Sequence, residues 1–313
     1  MSRTALAAAV LLWMTAASVE ARWLKGNTHT HTLRSDGDAS PETVVRWYRD
    51  HGYDFLVLTD HDQVTRLDGG GLLLIPGEEV TDKLPRKPLH ICALGVTKVV
   101  KPQGGATPVE VLQHDIDAVR AAGGIPVINH PNFGWSFGAD ELRQLRGVAL
   151  LEIASGHPLV NMDGPPSVES MWDALLMAGK RVFAVAVDDA HHYGLEPPKG
   201  ELPARPGQGW VVVRADKLAA ADILTALERG DFYASTGPAL DAYDVSREAI
   251  TVTIRAAYQT RYRVQFLSRG SVLQETVGMS ATYRIRGDEG YVRAKVLDSN
   301  GKAAWMQPVM VTR

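Results

Sequence analysis

The length and composition of the chain are those of an ordinary globular protein. It has 313 residues, of which 45% are hydrophobic and 22% are charged. This excludes a disordered chain and allows one large domain with a small one. The formal net charge of -3 predicts no nucleic-acid-binding surface, because sequence-independent binding to phosphates depends on clustered Lys and Arg.

The first 21 residues have the pattern of a signal peptide. Arg3 supplies a positive charge, an apolar run extends from Ala5 to Trp13, and Val19 and Ala21 are the small residues before a cleavage site. We therefore predict cleavage after Ala21 and a periplasmic or secreted protein. The alternative is an uncleaved membrane anchor. The apolar run is shorter than the about 20 residues that a helix needs to span a bilayer, so no stable membrane span is expected.

The chain has one cysteine, Cys92, so no intramolecular disulfide can form. Cys92 lies within the apolar run from Ile91 to Leu94. We expect a buried core thiol rather than a nucleophile.

Short apolar runs alternate with helical patterns between Trp23 and about Tyr233, which is typical of parallel strands joined by crossover helices. After the segment that ends at Thr28, the runs are Phe55–Leu58, Leu72–Ile75, Ile91–Leu94, Ile125–Ile128, Val148–Ile153, Val182–Val187 and Trp210–Val213. Ser40, Thr107 and Ser167 are predicted to begin helices. A barrel related to the (β/α)8 type is the natural closure for residues 22–237.

The pattern changes after Pro238 to short stretches of period two. Ile250, Val252 and Ile254 alternate with polar residues, and Asn300-Gly301 is a hairpin signal near the end of the chain. Residues 238–313 are therefore predicted to form a small β-sandwich.

Histidines and acids stand where the predicted strands end. His29 and His31 follow the first strand, and side chains two residues apart in an extended chain point to the same side. Asp36 follows this pair in Ser35-Asp36-Gly37. The carboxyl ends of parallel barrel strands meet at one rim, so candidates at later strand ends should converge with these residues. The later candidates are His61, Glu78, His130, Asp189 and His191. His90 precedes its apolar run, so either its strand runs antiparallel or the ligand enters along the strand.

Together with His90, these candidates number nine, which is more nitrogen and oxygen donors than one tetrahedral zinc ion can bind. The sequence therefore predicts two or three divalent ions (Zn, Mn or Fe) held by histidines and carboxylates. Asp188 could take the place of Asp189, since spacing alone does not separate the two.

The ordered motifs resemble those of the polymerase and histidinol phosphatase (PHP) superfamily. In this chain they read His29-Thr30-His31, Ser35-Asp36-Gly37, Thr59-Asp60-His61, Gly77-Glu78-Glu79, Asn129-His130-Pro131 and Asp189-Ala190-His191. The resemblance covers roughly residues 24–238. It implies a distorted (β/α)7 TIM-like barrel with a trinuclear metal site that usually hydrolyses phosphoesters.

The resemblance also implies how the ligands are shared among three metal ions. By this likeness the first ion is held by His29, His31, Glu78 and Asp189. Glu78 then bridges to a second ion held by His90 and His130. The third ion is held by Asp36, His61 and His191.

The predicted function is phosphomonoester or phosphodiester hydrolysis of a small-molecule substrate by a metal-bridged hydroxide. The export signal and the C-terminal sandwich look more like an exported branch of the superfamily that includes carbamate-ester hydrolases related to carbaryl hydrolase. A carbamate or carboxyl-ester hydrolase on the same cluster is therefore the alternative. The alternative from another class is a metal-stabilised binding protein without activity.

Four residues close to the rim motifs are candidate catalytic residues. His192, His157 and Asp62 are candidate proton donors or substrate contacts, and Arg34 is a candidate phosphate clamp. For each of them, a solvated loop residue is the alternative.

Overall fold

The structure is a computed structural model that describes residues 22–160, 164–194, 200 and 202–311. The signal peptide predicted for residues 1–21 lies outside these ranges. Within them, no helix is long and apolar enough to cross a membrane.

Three helices begin where the sequence predicts. The helices of the described chain are α1 (Pro41–Asp50), α2 (Pro108–Ala121), α3 (Ala139–Gln144), α4 (Val168–Met177) and α5 (Ala220–Arg229). The side chains of Ser40, Thr107 and Ser167 accept hydrogen bonds from backbone N–H groups in the first turns of α1, α2 and α4. Each cap satisfies a donor that has no partner inside the helix. These helix starts are confirmed.

The strands of the N-terminal region follow the predicted apolar runs. They are β1 (Arg22–Asn27), β2 (Phe55–Val57), β3 (Leu73–Ile75), β4 (Gly77–Leu84), β5 (Lys87–Leu94), β6 (Ile125–Ile128), β7 (Leu150–Ser155), β8 (Phe183–Val187), β9 (Trp210–Ala215) and β10 (Phe232–Ser235). In one sheet β1, β2 and β3 pair in parallel, and in another β6, β7 and β8 do so. Cys92 is buried in β5, as expected.

The structure shows a mixed α/β fold but not a (β/α)7 barrel, because several strand pairs are antiparallel. β4 and β5 form a hairpin and β5 also pairs antiparallel with β6, while β9 runs antiparallel to β1 and β10. Only Pro85 and Arg86 separate β4 from β5, whereas a parallel crossover needs a dozen or more residues. The N-terminal region is therefore a mixed α/β arrangement whose strands belong to two sheets. The antiparallel direction of β5 explains why His90 precedes its apolar run.

Residues beyond 237 form two packed sheets. Their strands are β11 (Leu240–Val245), β12 (Ala249–Ile254), β13 (Tyr262–Ser268), β14 (Ser271–Val277), β15 (Ser280–Arg284), β16 (Tyr291–Asp298), β17 (Ala303–Met306) and β18 (Val309–Met310). One sheet has the order β11-β12-β15, and the other contains β14-β13-β16-β17. Val252 and Tyr283 from the first sheet share a buried cluster with Phe266 and Val296 from the second.

The second of these sheets continues into the N-terminal region without a break. β17 pairs with β10, where Ala234 lies opposite Trp305, and β10 pairs in turn with β9. The buried guanidinium of Arg293 in β16 also binds the carboxylate of Asp173 in α4, with Nε–Oδ1 and Nη2–Oδ2 distances of 2.7 Å. The boundary predicted at residue 238 remains a prediction, but hydrogen bonds and an ion pair cross it.

The two sheets bring their strand ends together at one place. Thr30, just after β1, forms an isolated bridge with Ala190, which follows β8. His61, which follows β2, forms another with Glu79 in β4. These two bridges place the ends of β1, β2, β4 and β8 beside one another.

Candidate metal centre

The carboxylate of Glu79 lies at the centre of the histidine cluster. Its Oε2 atom is 3.3 Å from Nε2 of both His29 and His31. Its Oε1 atom is 3.1 Å from His90 Nδ1 and 3.2 Å from His130 Nε2. One buried side chain thus faces two groups of imidazoles at once.

Glu78 was predicted to take this central position, but its side chain points away from the histidines. Glu79 takes its place. The Oε1 atom of Glu78 accepts a hydrogen bond of 2.6 Å from the backbone N–H of Val100. Glu78 and Glu79 are neighbours in β4, and successive side chains of a strand point to opposite faces. Only one of them can face the cluster, and the structure selects Glu79.

The first donor group consists of His29, His31, Glu79 and Asp189. The Nε2 atoms of the two histidines are 3.1 Å apart, and each lies 3.3 Å from Asp189 Oδ1 as well as from Glu79 Oε2. Nitrogen and oxygen ligands lie about 2.0 to 2.1 Å from zinc, so at the corners of a tetrahedron they are about 3.3 Å apart. The group therefore has the spacing of a four-ligand metal site.

Two further groups adjoin the first one. Glu79, His90 and His130 form the second donor group. The third donor group is Asp36, His61 and His191, in which Asp36 Oδ2 is 3.3 Å from His61 Nε2 and Asp36 Oδ1 is 3.3 Å from His191 Nε2. The structure thus brings together every metal-ligand candidate from the sequence except Glu78. With Glu79 in its place, the groups have the composition that the PHP resemblance implies.

Asp189, rather than Asp188, enters the cluster. Asp189 has a φ of 49°, a left-handed conformation that turns its side chain toward His29 and His31. The buried carboxylate of Asp188 instead accepts hydrogen bonds from Tyr48 Oη at 2.8 Å and from the backbone N–H of Gly209 at 2.9 Å. Asp188 therefore joins α1 to the segment just before β9. Asp189 is the residue that faces the donors.

Glu152 is a functional candidate that the sequence analysis missed. Its Oε1 atom lies 2.6 Å from His29 Nδ1, and its Oε2 atom accepts a 3.0 Å hydrogen bond from the backbone N–H of His130. A carboxylate on the outer nitrogen of a ligand histidine fixes the tautomer and the ring orientation. The available signal was a lone acid within the buried run of β7, from Leu150 to Ser155.

We expect Glu152→Gln to weaken the site without abolishing it. The amide keeps the shape of the side chain but removes the charge that orients His29, and such substitutions typically cost about 10 to 100-fold in metal affinity or activity. Zinc titration of the variant against a competing chelator measures the loss. An affinity equal to that of the unmodified chain would show that Glu152 does not support His29.

Asn129 and Asp60 support the cluster from outside it. Asn129 Nδ2 donates a 2.7 Å hydrogen bond to Glu79 Oε1 and so orients the central carboxylate. Asp60 Oδ1 accepts hydrogen bonds from the backbone N–H of Thr32 and from Ser35 Oγ, at 2.7 and 3.0 Å. Asp60 thereby fixes the loop that carries His31 and Asp36.

The four predicted catalytic candidates fall into two pairs. His157 and His192 line a cavity of about 610 Å³ together with members of all three donor groups. Asp62 is exposed, and its Oδ1 atom accepts a hydrogen bond from the backbone N–H of Thr81. Arg34 is also exposed, and neither Arg34 nor Asp62 is among the described residues that line the cavity. The structure thus places only the two histidines at the site.

The electrostatics of the cluster match a site for cations. Burial alone would lower the pKa of His31, but hydrogen bonds to Asp189 and Glu79 raise it to about 9. Burial alone would raise the pKa of Glu79, yet the neighbouring imidazoles, His29 and His90 foremost, hold it well below its usual value. Buried histidines that face ionised carboxylates at these distances form a donor set that fits divalent metal ions.

This electrostatic balance predicts a pH dependence of metal binding. With a pKa of about 9, the His31 imidazole carries a proton at neutral pH in the metal-free protein, and a metal ion must displace it because only neutral imidazole is a ligand. We expect the apparent Zn²⁺ affinity to rise as the pH is raised from about 6.5 to about 9 and to level off above this pKa. Competition with a zinc-binding dye across this range measures it. An affinity that does not change with pH would contradict the protonated state of His31.

Comparison with known proteins identifies the fold. No family model and no curated protein matches the chain. It is similar to the crystal structure of a two-domain protein from Bacteroides vulgatus ATCC 8482, described as containing a predicted PHP-like metal-dependent phosphoesterase. The identity is 15%, the match covers 92% of this chain and 95% of that chain, and the TM-score is 0.52. The chain therefore shares the fold of that protein.

A second solved structure is an amidohydrolase from Chromobacterium violaceum with bound sulfate and no metal. It is 18% identical, and the match covers 57% of this chain and 92% of that chain with a TM-score of 0.39.

Proposed function

We propose that this protein is a metal-dependent phosphoesterase of the PHP superfamily. The observation that supports this most strongly is the position of Glu79, whose two carboxylate oxygens face separate groups of imidazole nitrogens at 3.1 to 3.3 Å. A carboxylate in this position can hold two ions close together. Two or three Zn, Mn or Fe ions are proposed, one for each donor group that is filled.

Ions bound in these groups would supply a nucleophile from water at neutral pH and positive charge for the oxygens of the reacting group. The side chains of the protein then have separate tasks. The three donor groups hold the ions, and Glu152 keeps His29 in the tautomer whose Nε2 faces the first donor group.

His157 is the proposed hydrogen-bond donor to the substrate. Burial lowers its pKa, so the ring is neutral at neutral pH. Its Nδ1 atom accepts a 3.2 Å hydrogen bond from the backbone N–H of Leu159, which leaves the ring proton on Nε2. His157 can therefore donate from Nε2 to a substrate oxygen in the cavity. The imidazole of His192 has its Nδ1 atom 3.0 Å from the backbone N–H of Ala204 and lines the other part of the cavity.

The second candidate function is hydrolysis of carboxyl esters or carbamates on the same centre. It is favoured by one feature of the cavity, namely that no Lys or Arg is among its described lining residues. A neutral substrate would need no such side chain. A metal-binding protein without turnover is the third possibility, and the same experiment separates all three.

The test is an activity screen of the metal-reconstituted chain. Phosphate release from phosphomonoesters and phosphodiesters is measured beside cleavage of carboxyl esters and carbamates. We expect phosphate release that falls at least about 100-fold with chelator and in His130→Ala, as for the loss of a metal ligand. The matched control is His114→Ala, because His114 is exposed and lies outside the donor groups. Ester or carbamate cleavage without phosphate release would replace the proposal by the second candidate.

We also propose that the chain is exported and loses residues 1–21. The support is the sequence pattern alone, with Ala21 at the cleavage position. N-terminal sequencing of protein recovered from the periplasm or the medium should give Arg22 as the first residue. Recovery of the intact Met1 terminus from the cytoplasm would contradict export.

A further inference from the structure

The cavity at the metal centre is lined by two chemically different sets of residues. One set consists of donor-group residues such as Asp36, Glu79 and Asp189. The other set, which we call the apolar wall, consists of Phe133, Leu159, Val160 and Leu202. Leu159 is 63% exposed and Leu202 is 61% exposed. Exposed leucines beside a polar metal site can pack against the apolar part of a bound ligand.

The apolar wall is attached directly to the metal-site residues. The ring centroid of Phe133 lies 5.4 Å from that of His130 and 6.4 Å from that of His90. The backbone N–H of Leu159 donates to His157 Nδ1 at 3.2 Å, and that of Val160 donates to the His157 carbonyl at 3.1 Å. An organic group on a substrate at the metal centre would therefore have Phe133 beside it, next to His130 and His90.

Apart from the histidines, the ionisable side chains in the described lining of the cavity are acidic. Its described lining contains the carboxylates of Asp36, Glu79 and Asp189 but neither Lys nor Arg. A single anionic group on the substrate could be matched by the bound ions. A second anionic group, carried at the far end of the substrate, would lie beside the apolar wall, where the described lining offers it no cationic partner.

We propose that the substrate carries its reacting group on an apolar organic group that packs against Phe133, Leu159, Val160 and Leu202, and that it has no second anionic group. This inference rests on the proposed function, and it holds equally for a phosphoester and for a neutral ester. The cavity volume of about 610 Å³ is within the range of small-molecule sites.

The experiment uses the metal-loaded full chain and a series of primary alkyl phosphates. Ethyl, butyl and hexyl phosphate have leaving groups of the same kind, so that differences in kcat/KM report contact with the wall. We expect kcat/KM to rise by up to about fourfold for each added methylene, which corresponds to 0.8 kcal/mol for a buried CH₂. Glycerol phosphate and 6-carboxyhexyl phosphate, which add hydroxyls and a second anion, should each be at least about 10-fold poorer than hexyl phosphate.

Two substitutions locate the effect on the wall. Leu159→Asn and Leu202→Asn should each reduce the preference for hexyl over ethyl phosphate by about 10-fold. Leu202→Arg should instead raise the relative activity on 6-carboxyhexyl phosphate, because it adds a cation to the apolar wall. The control is Leu218→Asn, since Leu218 is 39% exposed and is not part of the cavity. Bound metal is measured in every variant, which shows that the centre is intact.

The outcomes of this experiment separate the two proposals. No phosphate release from any substrate would contradict the proposed phosphoesterase, and the series is then repeated with ethyl, butyl and hexyl acetates to test the wall. Equal kcat/KM across the alkyl series, or a preference for hexyl phosphate that survives both Asn substitutions, would overturn the inference while leaving the proposed function in place.

Discussion

Glu79→Gln should remove most of the bound metal and reduce hydrolysis by more than about 100-fold. The amide has the size of the carboxylate but lacks its charge, and the side chain faces both the first and the second donor group. Loss of an anionic ligand should exceed the roughly 10 to 100-fold cost of losing a supporting residue outside the ligand shell. Elemental analysis and kcat/KM after reconstitution measure both effects.

The matched control is the neighbouring substitution Glu78→Gln. Burial raises the pKa of Glu78 to about 7, and Gln keeps an oxygen that can accept the hydrogen bond from the Val100 N–H. We expect this variant to bind metal like the unmodified chain. If Glu78→Gln lost the metal and Glu79→Gln kept it, the assignment of the central carboxylate would be reversed.

Arg293→Met should lower the free energy of unfolding by about 3–5 kcal/mol, the usual cost of removing one partner from a buried ion pair. The Arg293 side chain is 1% exposed and Asp173 is 6% exposed, so the substitution leaves a buried carboxylate without its cationic partner. The Tyr291 hydroxyl also donates to Asp173, at 2.7 Å, but a neutral donor cannot replace the guanidinium charge. Urea unfolding of the metal-loaded protein measures the change.

The control for this prediction is an ion pair at the surface. Arg263 and Glu275 lie 3.4 Å apart, with side chains 54% and 37% exposed. Exposed pairs contribute about 0–1 kcal/mol, so Arg263→Met should have little effect. Equal stability of Arg293→Met and Arg263→Met would show that the contact between α4 and β16 does not hold the two regions together.

The sequence was sufficient where local chemistry decides the structure. The caps at Ser40, Thr107 and Ser167 depend on side chains that bond to nearby backbone, and they were predicted correctly. The apolar runs form strands because short, continuous apolar segments fit a sheet that is buried on both faces. Eight of the nine predicted metal-ligand residues face the cluster. They could be predicted because the motifs that contain them lie close to the ends of strands.

The sequence was insufficient where a choice depends on the exact phase of a strand or on distant packing. Glu78 and Glu79 are adjacent, and only the register of β4 against β5, in which Glu79 lies opposite Cys92, decides which one faces the histidines. Glu152 lies 123 residues from His29, so nothing in the local pattern joins them. The distorted (β/α)7 barrel that the motifs imply is not shown for a similar reason, because the pairing of β9 with β1 is a long-range antiparallel contact.

The pairing of the C-terminal strands with the N-terminal region could not be predicted from the sequence either. The change of periodicity after Pro238 predicts a small sandwich, which stays a prediction, and it gives no sign that β17 extends the sheet that contains β10. A period-two pattern shows which side chains of a strand are buried, but it does not show which neighbouring strand receives its hydrogen bonds.

The most direct test of the metal centre is anomalous scattering from a crystal of the protein reconstituted with Zn²⁺. We predict at least two anomalous peaks beside the Glu79 carboxylate. One should lie within reach of His29 and His31, and the other within reach of His90 and His130. A single peak remote from Glu79, or no peak among these histidines, would contradict the proposed multinuclear centre.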